Sequence, residues 1–185
     1  AAPAAPGPRP RADAATKKPV VCWIGSFTTS KYLLGLAPVL EAVARRVPFR
    51  LYVVGSHPMP SIRGVEVEQV DWNLAREIDD FQQCDVGLYP LWDDAWAKGK
   101  CALKAIQFMA CGVPVVASAV GVNRELIQDG LNGALASTEE EWIEKLTRLL
   151  ADPALRRRLG LAARHTVEER YSIRAHAATL LGVLR

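Results

Sequence analysis

Three polar side chains near the middle of the sequence are spaced as if they shared one face of a helix. Lys100, Lys104 and Gln107 occupy positions i, i+4 and i+7 of the segment KGKCALKAIQFMACG, and residues three or four apart are neighbours on a helix surface. Two ammonium groups in the first turns oppose the helix dipole, which favours anions at that end. The arrangement becomes favourable if a diphosphate binds the free N–H groups and both lysines. A solvated lysine face is an equally weighted alternative.

Two other loops contain a glycine where a ligand could approach the backbone. Gly25 opens GSFTTSK and Gly55 opens GSHPMP, each directly after an apolar run. N–H groups after such a glycine can cradle a phosphate, although a turn capped by a hydroxyl explains the first loop better. A base could pack beside Gly55 and the turn formed by Val70, Asp71 and Trp72. The Trp72 ring could equally well belong to the core or to a contact with another domain. Neither loop is a GxGxxG or a Walker sequence, which disfavours dehydrogenases and P-loop proteins.

The order of elements predicts how these loops are positioned. Short apolar runs alternate with segments of helical period, which predicts an α/β fold with a Rossmann-like, doubly wound parallel sheet of about six strands and C-terminal helices. Unbroken runs such as VVCWI suit strands covered on both faces. Ligands bind such sheets at the carboxyl ends of the strands. The predicted strands are 20–24, 50–54, 65–70, 86–89, 113–117 and 133–136, and the earlier helices are 32–46, 73–83, 100–111 and 123–128.

Capping residues and proline mark the helix boundaries. Pro38 predicts a kink or a late start within the first helix. Ser137 and Glu140 form a predicted capping box that opens a helix over 138–150. Asp152, followed by a proline at the first helical position, opens another helix to about residue 169. Ser172 caps a predicted final helix that runs to the end of the chain.

Length and composition indicate one compact domain over residues 19–185, preceded by an Ala/Pro-rich stretch over 1–18 that we expect to be a disordered tail or linker. Lys and Arg number 23 against 20 Asp and Glu, which is too small an excess for a nucleic-acid-binding surface. Cys22, Cys84, Cys101 and Cys111 lie in or beside apolar stretches without a Cys-x-x-Cys pair, so we expect buried free thiols and a reducing, cytoplasmic compartment. No His/Cys cluster or carboxylate pair recommends a metal, and no apolar run approaches membrane-spanning length.

Taken together, these segments resemble the C-terminal domain of group 1 glycosyltransferases, a retaining class in which this domain is one half of a GT-B fold. The resemblance extends in order from Val20 to Ser172, and its most specific part runs from Gln107 to Gly133. The segments that carry it are WIGSFTTSKYL, LYVVG, DDFQQCDVGLYPL, KGKCALKAIQFMACGVPVVASAVGVNRELIQDGLNGALA and LTRLLADPALRRRLGLAARHTVEERYS. It implies a domain that binds a nucleoside-diphosphate sugar.

One departure concerns the family's Glu-x7-Glu element, whose glutamates contact the donor sugar and the ribose. Alignment on MACG places Gly99 at the first position and Gln107 at the second. The resemblance therefore implies that Gln107 binds the ribose as a neutral group. The sugar contact expected at Gly99 would come from elsewhere, with Asp93 or Asp94 as candidates. The pattern GKC-x2-K-x2-Q itself resembles a known branch of the family.

A second departure concerns the donor diphosphate, which the family often binds with an Arg and a Lys after the first strand. Ser26 occupies the position of the Arg, and Lys31 has the spacing of the Lys. Lys100 and Lys104 would then compensate for the missing Arg. The catalytic and acceptor residues are expected in an N-terminal domain that this sequence does not contain. No catalytic residue, cofactor or metal is therefore assigned here, and we expect this part alone to be inactive.

The resemblance also suggests partners and leaves rival functions open. It implies an acceptor glycan or a lipid-linked sugar in cell-surface polysaccharide synthesis. The small charge excess argues against a nucleic-acid partner, and the cysteine usage favours a cytoplasmic location, with peripheral attachment to the inner membrane face left open. A sugar-nucleotide epimerase of the same architecture is one alternative. A degenerate binding module without catalysis is another, because Gly99 and Gln107 replace both glutamates. A receiver-like signalling domain is disfavoured because Asp71, Asp93 and Asp94 do not form its aspartate set.

Overall fold

Six parallel strands form the centre of the protein. The computed structural model describes residues 18–183, so the predicted tail, apart from Lys18, lies outside the described part of the chain. The strands run in the order β3-β2-β1-β4-β5-β6, which confirms the predicted Rossmann-like α/β sheet. They are β1 (Val20–Ile24), β2 (Arg50–Val54), β3 (Glu66–Val70), β4 (Val86–Tyr89), β5 (Val115–Ser118) and β6 (Ala134–Ala136).

Helices cover both faces of this sheet, as the unbroken apolar strands predict. Successive side chains of β1 show the division, since Val21 and Trp23 face one core while Cys22 and Ile24 face the other. The first core packs against α1, α2 and α7, and the second against α3, α5 and the later part of α8. The helices are α1 (Ser30–Gly35), α2 (Ala37–Ala44), α3 (Glu77–Gln82), α4 (Ala95–Lys98), α5 (Leu103–Ala110), α6 (Asn123–Leu126), α7 (Glu139–Ala151), α8 (Pro153–Arg170) and α9 (Ile173–Val183).

Most strand predictions agree with the structure to within one or two residues. Strands β1, β2 and β4 have the predicted bounds, and β3 and β6 each begin one residue later. Strand β5 begins at Val115 because Val113 belongs to the turn after α5, where its N–H donates to the carbonyl of Phe108 at 3.0 Å. Pro114 then has no N–H to contribute to the sheet.

Three helix starts differ from the prediction. The helix predicted over 73–83 begins as an α-helix only at Glu77, after a single 3-10 turn over Leu74–Arg76. The helix predicted over 32–46 is interrupted at Leu36, and Pro38 lies in the first turn of α2, which confirms the predicted break. The helix predicted from Lys100 begins only at Leu103, because Ala102 adopts a left-handed conformation with φ of 57°. Lys100 therefore lies in the loop before α5, and the prediction that it belongs to the helix is wrong.

The caps of the last three helices are close to the predicted ones. At α7 the capping box is shifted by one residue, since Thr138 accepts the N–H of Glu141 and the Glu141 carboxylate accepts the N–H of Ser137. Asp152 caps α8 and Ser172 caps α9, as predicted. Among the helices described between residues 18 and 183, none combines the length and the apolar character that crossing a bilayer requires.

The prediction of four buried free thiols is wrong. Cys22 in β1 and Cys84, which precedes β4, form a disulfide across 62 residues of chain, with their Cα atoms 5.6 Å apart. Both cysteines are buried, whereas Cys101 is exposed and Cys111 is half-buried. Sequence spacing gave no sign of the pair, because β1 and the loop before β4 become neighbours only in the folded sheet. The disulfide also removes the basis for inferring a reducing compartment.

The disulfide should stabilise the fold by restricting the unfolded chain. For a loop of 62 residues, the entropy of loop closure corresponds to about 4 kcal/mol. We expect reductant to lower the free energy of unfolding of the natural sequence by an amount of that order in urea titrations. A Cys22→Ala/Cys84→Ala variant should show no such response, while Cys101→Ala/Cys111→Ala should respond like the natural sequence. Four reactive thiols in the denatured, unreduced chain would contradict the disulfide.

Candidate functional site

A crevice of about 350 Å³ opens at the carboxyl ends of β1 and β4. The strand order reverses between these two strands, and ligands of doubly wound sheets bind at this switch point. The loop before α5 forms the opposite wall. The lining residues are Trp23, Ile24, Gly25, Thr29, Tyr32, Tyr89, Pro90, Leu91, Gly99, Lys100, Cys101, Ala102, Leu103 and Lys104.

Gly25 and Gly55 bring the ends of β1 and β2 together. A Cβ atom on Gly25 would overlap the Trp23 ring and approach Thr29 Oγ1 to 2.8 Å, and one on Gly55 would overlap the Gly25 carbonyl oxygen. Gly55 also has a φ of 79°, which favours glycine. Close packing of the loops therefore requires both glycines, and Gly25 also lines the crevice; its contact with a ligand stays a prediction.

Ser26 uses its polar groups locally and does not line the crevice. Its hydroxyl bonds those of Thr28 and Thr29 at 2.9 and 3.4 Å, and its N–H donates to Thr29 Oγ1 at 3.0 Å. Lys31 is turned toward an aromatic pair, with its Nζ 4.8 Å from the centre of the Trp92 ring and 5.2 Å from that of Tyr32. Neither residue lines the crevice, and Lys31 contacts its wall only through Tyr32.

Lys100 provides a cation on the wall of the crevice. Its Nζ lies 5.7 Å from the centre of the Tyr32 ring and 6.0 Å from that of Trp96, which places it for weak cation–π contacts. Within the described part of the chain, residues 18–183, no carboxylate pairs with Lys100. Its positive charge is therefore available to an anion in the crevice.

Lys104 also lines the crevice, but its charge is balanced. Its Nζ lies 3.0 Å from Oε1 of Glu77, the first residue of α3, and both side chains are largely shielded from solvent. The prediction of two unopposed lysines in the first turns of one helix is therefore wrong. Lys100 precedes the helix, and Glu77 already compensates the unfavourable placement of Lys104 near a helix N-terminus.

Glu77 connects several residues of the site. The Lys104 ammonium holds the pKa of Glu77 below its ordinary value against the opposing effect of burial, and hydrogen bonds from Trp72 and Gln107 act in the same direction. Glu77 is thus a carboxylate at neutral pH. Gln107 lies beside it, one turn beyond Lys104, and Gln107 Oε1 is buried without a donor from residues 18–183.

The residues predicted to bind a base lie next to one another at the ends of β2 and β3. The Gly55 N–H donates to the Val70 carbonyl at 3.0 Å, and Trp72 follows with half of its surface exposed. Asp71 is exposed and pairs with His57 at 2.7 Å. None of these residues lines the 350 Å³ crevice; they lie beyond Gly25, at the neighbouring ends of β2 and β3.

The acidic residues proposed for the donor sugar have local structural roles. Asp94 caps α4, since its Oδ1 accepts the Ala97 N–H at 2.7 Å, and Asp93 pairs with Lys98 at 2.8 Å. Neither lines the main crevice, whereas Gly99 does. Asp93 instead borders a second crevice of about 270 Å³ at the ends of β4, β5 and β6.

Tyr32 lines both crevices and was not among the predicted site residues. Its ring packs edge-on against Trp92, with the ring centres 5.1 Å apart. Its hydroxyl is buried and has no hydrogen-bond partner within the described residues. Burial raises the pKa of this hydroxyl, and the charge of Asp94 adds to the effect, so the group remains a neutral donor. Tyr32 is the first residue of the helix predicted over 32–46, and nothing in the sequence marked its hydroxyl.

Comparisons with known proteins identify the family. A family model described as glycosyl transferases group 1 matches residues 18–152. The D-inositol 3-phosphate glycosyltransferase of Xylanimonas cellulosilytica is 34% identical over 146 residues, which are 78% of this chain and 30% of that protein. The chain thus spans about a third of the length of this relative.

Solved structures share the fold. The C-terminal domain of a glycosyl transferase group 1 family protein from Francisella tularensis has a TM-score of 0.67 at 19% identity, covering 84% of this chain and 87% of that chain. Anabaena HepE, in complex with UDP and glucose, has a TM-score of 0.67 at 18% identity, covering 89% of this chain and 47% of that chain. Since the family model matches residues 18–152 of 185, this chain belongs to the group 1 glycosyltransferases.

Proposed function

We propose that this chain binds the nucleoside-diphosphate-sugar donor of a retaining glycosyltransferase. The position of Lys100 carries the proposal, because its ammonium lines the switch-point crevice and has no carboxylate partner among the described residues. Membership of the group 1 family and the shared fold with a C-terminal domain support it. The UDP and glucose in the complex of Anabaena HepE give a further reason to expect a nucleotide sugar.

The residues along the edge of the sheet match the order of the parts of such a donor. We place the base at the ends of β2 and β3, beside Gly55 and Trp72. The diphosphate would lie in the crevice near Gly25, Lys100 and Lys104, all of which line it. The sugar would then lie toward Gly99, with the Tyr32 hydroxyl as a candidate hydrogen-bond donor.

The chemistry expected at this site is electrostatic. When the sugar leaves, negative charge grows on the diphosphate, and a fixed cation lowers the energy of that transition state. Lys100 would contribute most, because Glu77 balances the charge of Lys104. Lys31 would be a second cation if it turned from Trp92 and Tyr32 toward the crevice, which it does not line here.

The rest of the enzyme is part of the same proposal. An N-terminal domain would provide the acceptor site and the remaining catalytic residues across a cleft. The acceptor would be a glycan or a lipid-linked sugar of the cell surface. The Xylanimonas cellulosilytica relative, a D-inositol 3-phosphate glycosyltransferase, supports sugar transfer as the reaction of the whole protein.

Removal of the Lys100 charge should weaken binding of the nucleotide. We expect calorimetric titration with UDP, GDP, ADP and CDP to show binding of at least one of them. For the tightest of these, Lys100→Ala should raise Kd by about tenfold or more, as expected for loss of a hydrogen bond to a charged group. The effect should shrink at high salt, because the interaction is electrostatic.

Lys98→Ala is the matched control for this experiment. Lys98 lies two residues earlier, pairs with Asp93 and does not line the crevice, so its loss should leave Kd nearly unchanged. Equal effects of the two substitutions would show that only general surface charge matters. Absence of binding to all four nucleotides would instead favour a degenerate module.

This chain alone should not transfer sugar, because the proposal assigns the acceptor to another domain. We expect no glycoside product when the chain is incubated with sugar nucleotides and simple acceptors, even where calorimetry shows that the nucleotide binds. Product analysis by mass spectrometry and NMR checks this. A new glycosidic linkage would contradict the division between domains, and an epimerised sugar nucleotide would indicate the epimerase alternative.

A further inference from the structure

The Glu77 carboxylate lies between two parts of the proposed donor site. Its Oε1 accepts a hydrogen bond from the Trp72 indole at 3.2 Å and another from the Lys104 ammonium at 3.0 Å. Trp72 follows β3, where the base is placed, and Lys104 lines the crevice, where the diphosphate is placed. In a nucleoside diphosphate, the unit between the base and the diphosphate is the ribose.

The charge of Glu77 is difficult to explain if the site only attracts a diphosphate. A carboxylate 3.0 Å from Lys104 cancels the attraction of that lysine and repels phosphate oxygens. The same carboxylate is a strong acceptor for hydroxyl groups, and dinucleotide-binding folds use an acidic residue for ribose hydroxyls. Both observed bonds fall on Oε1, so Oε2 carries neither of them.

The side-chain oxygen of Gln107, unpaired within the described residues, also favours a ligand that donates hydrogen bonds. Gln107 lies on α5 one turn beyond Lys104, whose ammonium contacts Glu77 at 3.0 Å. Gln107 Oε1 is buried and has no donor from residues 18–183, and such buried acceptors are rare in proteins. Gln107 Oε1 is therefore short of a donor, and a ribose hydroxyl would supply it.

We infer that Glu77 accepts hydrogen bonds from the ribose hydroxyls of the nucleotide, so that α3 supplies a carboxylate that makes the site selective for ribose. The inference rests on the proposed donor-binding function. Lys104 and Trp72 hold the carboxylate in place, and Gln107 assists as a neutral neighbour. Glu77 is thus a ribose-binding residue in addition to the partner of Lys104.

The first measurement needs only the natural sequence. The nucleoside diphosphate that binds most tightly among UDP, GDP, ADP and CDP is compared by calorimetry with its dideoxyribose counterpart, which lacks both ribose hydroxyls. We expect the ribose form to bind at least about tenfold more tightly, since it alone can donate to the carboxylate. Equal affinities would overturn the role of Glu77 and leave the donor-binding proposal intact. Absence of binding by every nucleotide would overturn both.

The second measurement separates ribose binding from a purely structural role. In Glu77→Gln the preference for ribose should fall by about tenfold. The dideoxy form should bind at least as tightly as before, because the repelling charge is gone and Lys104 is no longer neutralised. Equal weakening of both forms would show that Glu77 only maintains the structure. Asp79→Asn, an exposed change on the same helix, is the matched control, and its ribose preference should stay unchanged.

Discussion

The close approach of α5 to β4 determines where the residues of the site lie. Gly87 lies in β4 beneath the Phe108 ring, and a Cβ atom at this position would come within 2.7 Å of that ring. Phe108 in turn packs edge-on against Phe81 of α3, with the ring centres 4.7 Å apart. One contact therefore fixes both helices to the same face of the sheet. As a result, Glu77 and Lys104, near the N-terminal ends of the two helices, meet at the edge where the strands end.

The resulting ion pair changes what the crevice can select. A crevice with lysines alone would attract any anion of suitable size, since such attraction depends on charge and little on shape. A carboxylate beside them makes an anion without hydroxyl groups a poorer ligand, while a ribose-containing nucleotide gains hydrogen bonds that offset the repulsion. If Glu77 binds the ribose as proposed, it lowers the affinity for simple phosphates and adds discrimination, and Lys100 is left as the cation that the carboxylate does not neutralise.

Patterns within single elements could be predicted from the sequence, and contacts between distant elements could not. Apolar runs gave the bounds of β1, β2 and β4, and proline and capping residues gave the breaks around α2 and α8. The start of α5 was missed because Ala102 adopts a left-handed conformation that alanine rarely takes. The pairing of Lys104 with Glu77, 27 residues away, and the Cys22–Cys84 disulfide both depend on the packed sheet, which no local spacing encodes.

Some of the packing that holds the site in place comes from residues after 152, where the match to the family model ends. Helix α8 begins at the next residue with a capped turn, and its Ala163 and Val167 share one buried core with Phe108 and Met109 of α5. Asn132 also donates to Thr166 of this helix at 3.0 Å. Helix α5 is thus held between β4 on one side and α8 on the other. The position of Lys104 therefore depends on packing by a helix that does not itself line the crevice, so a cavity made in α8 would act on ligand binding through the placement of α5.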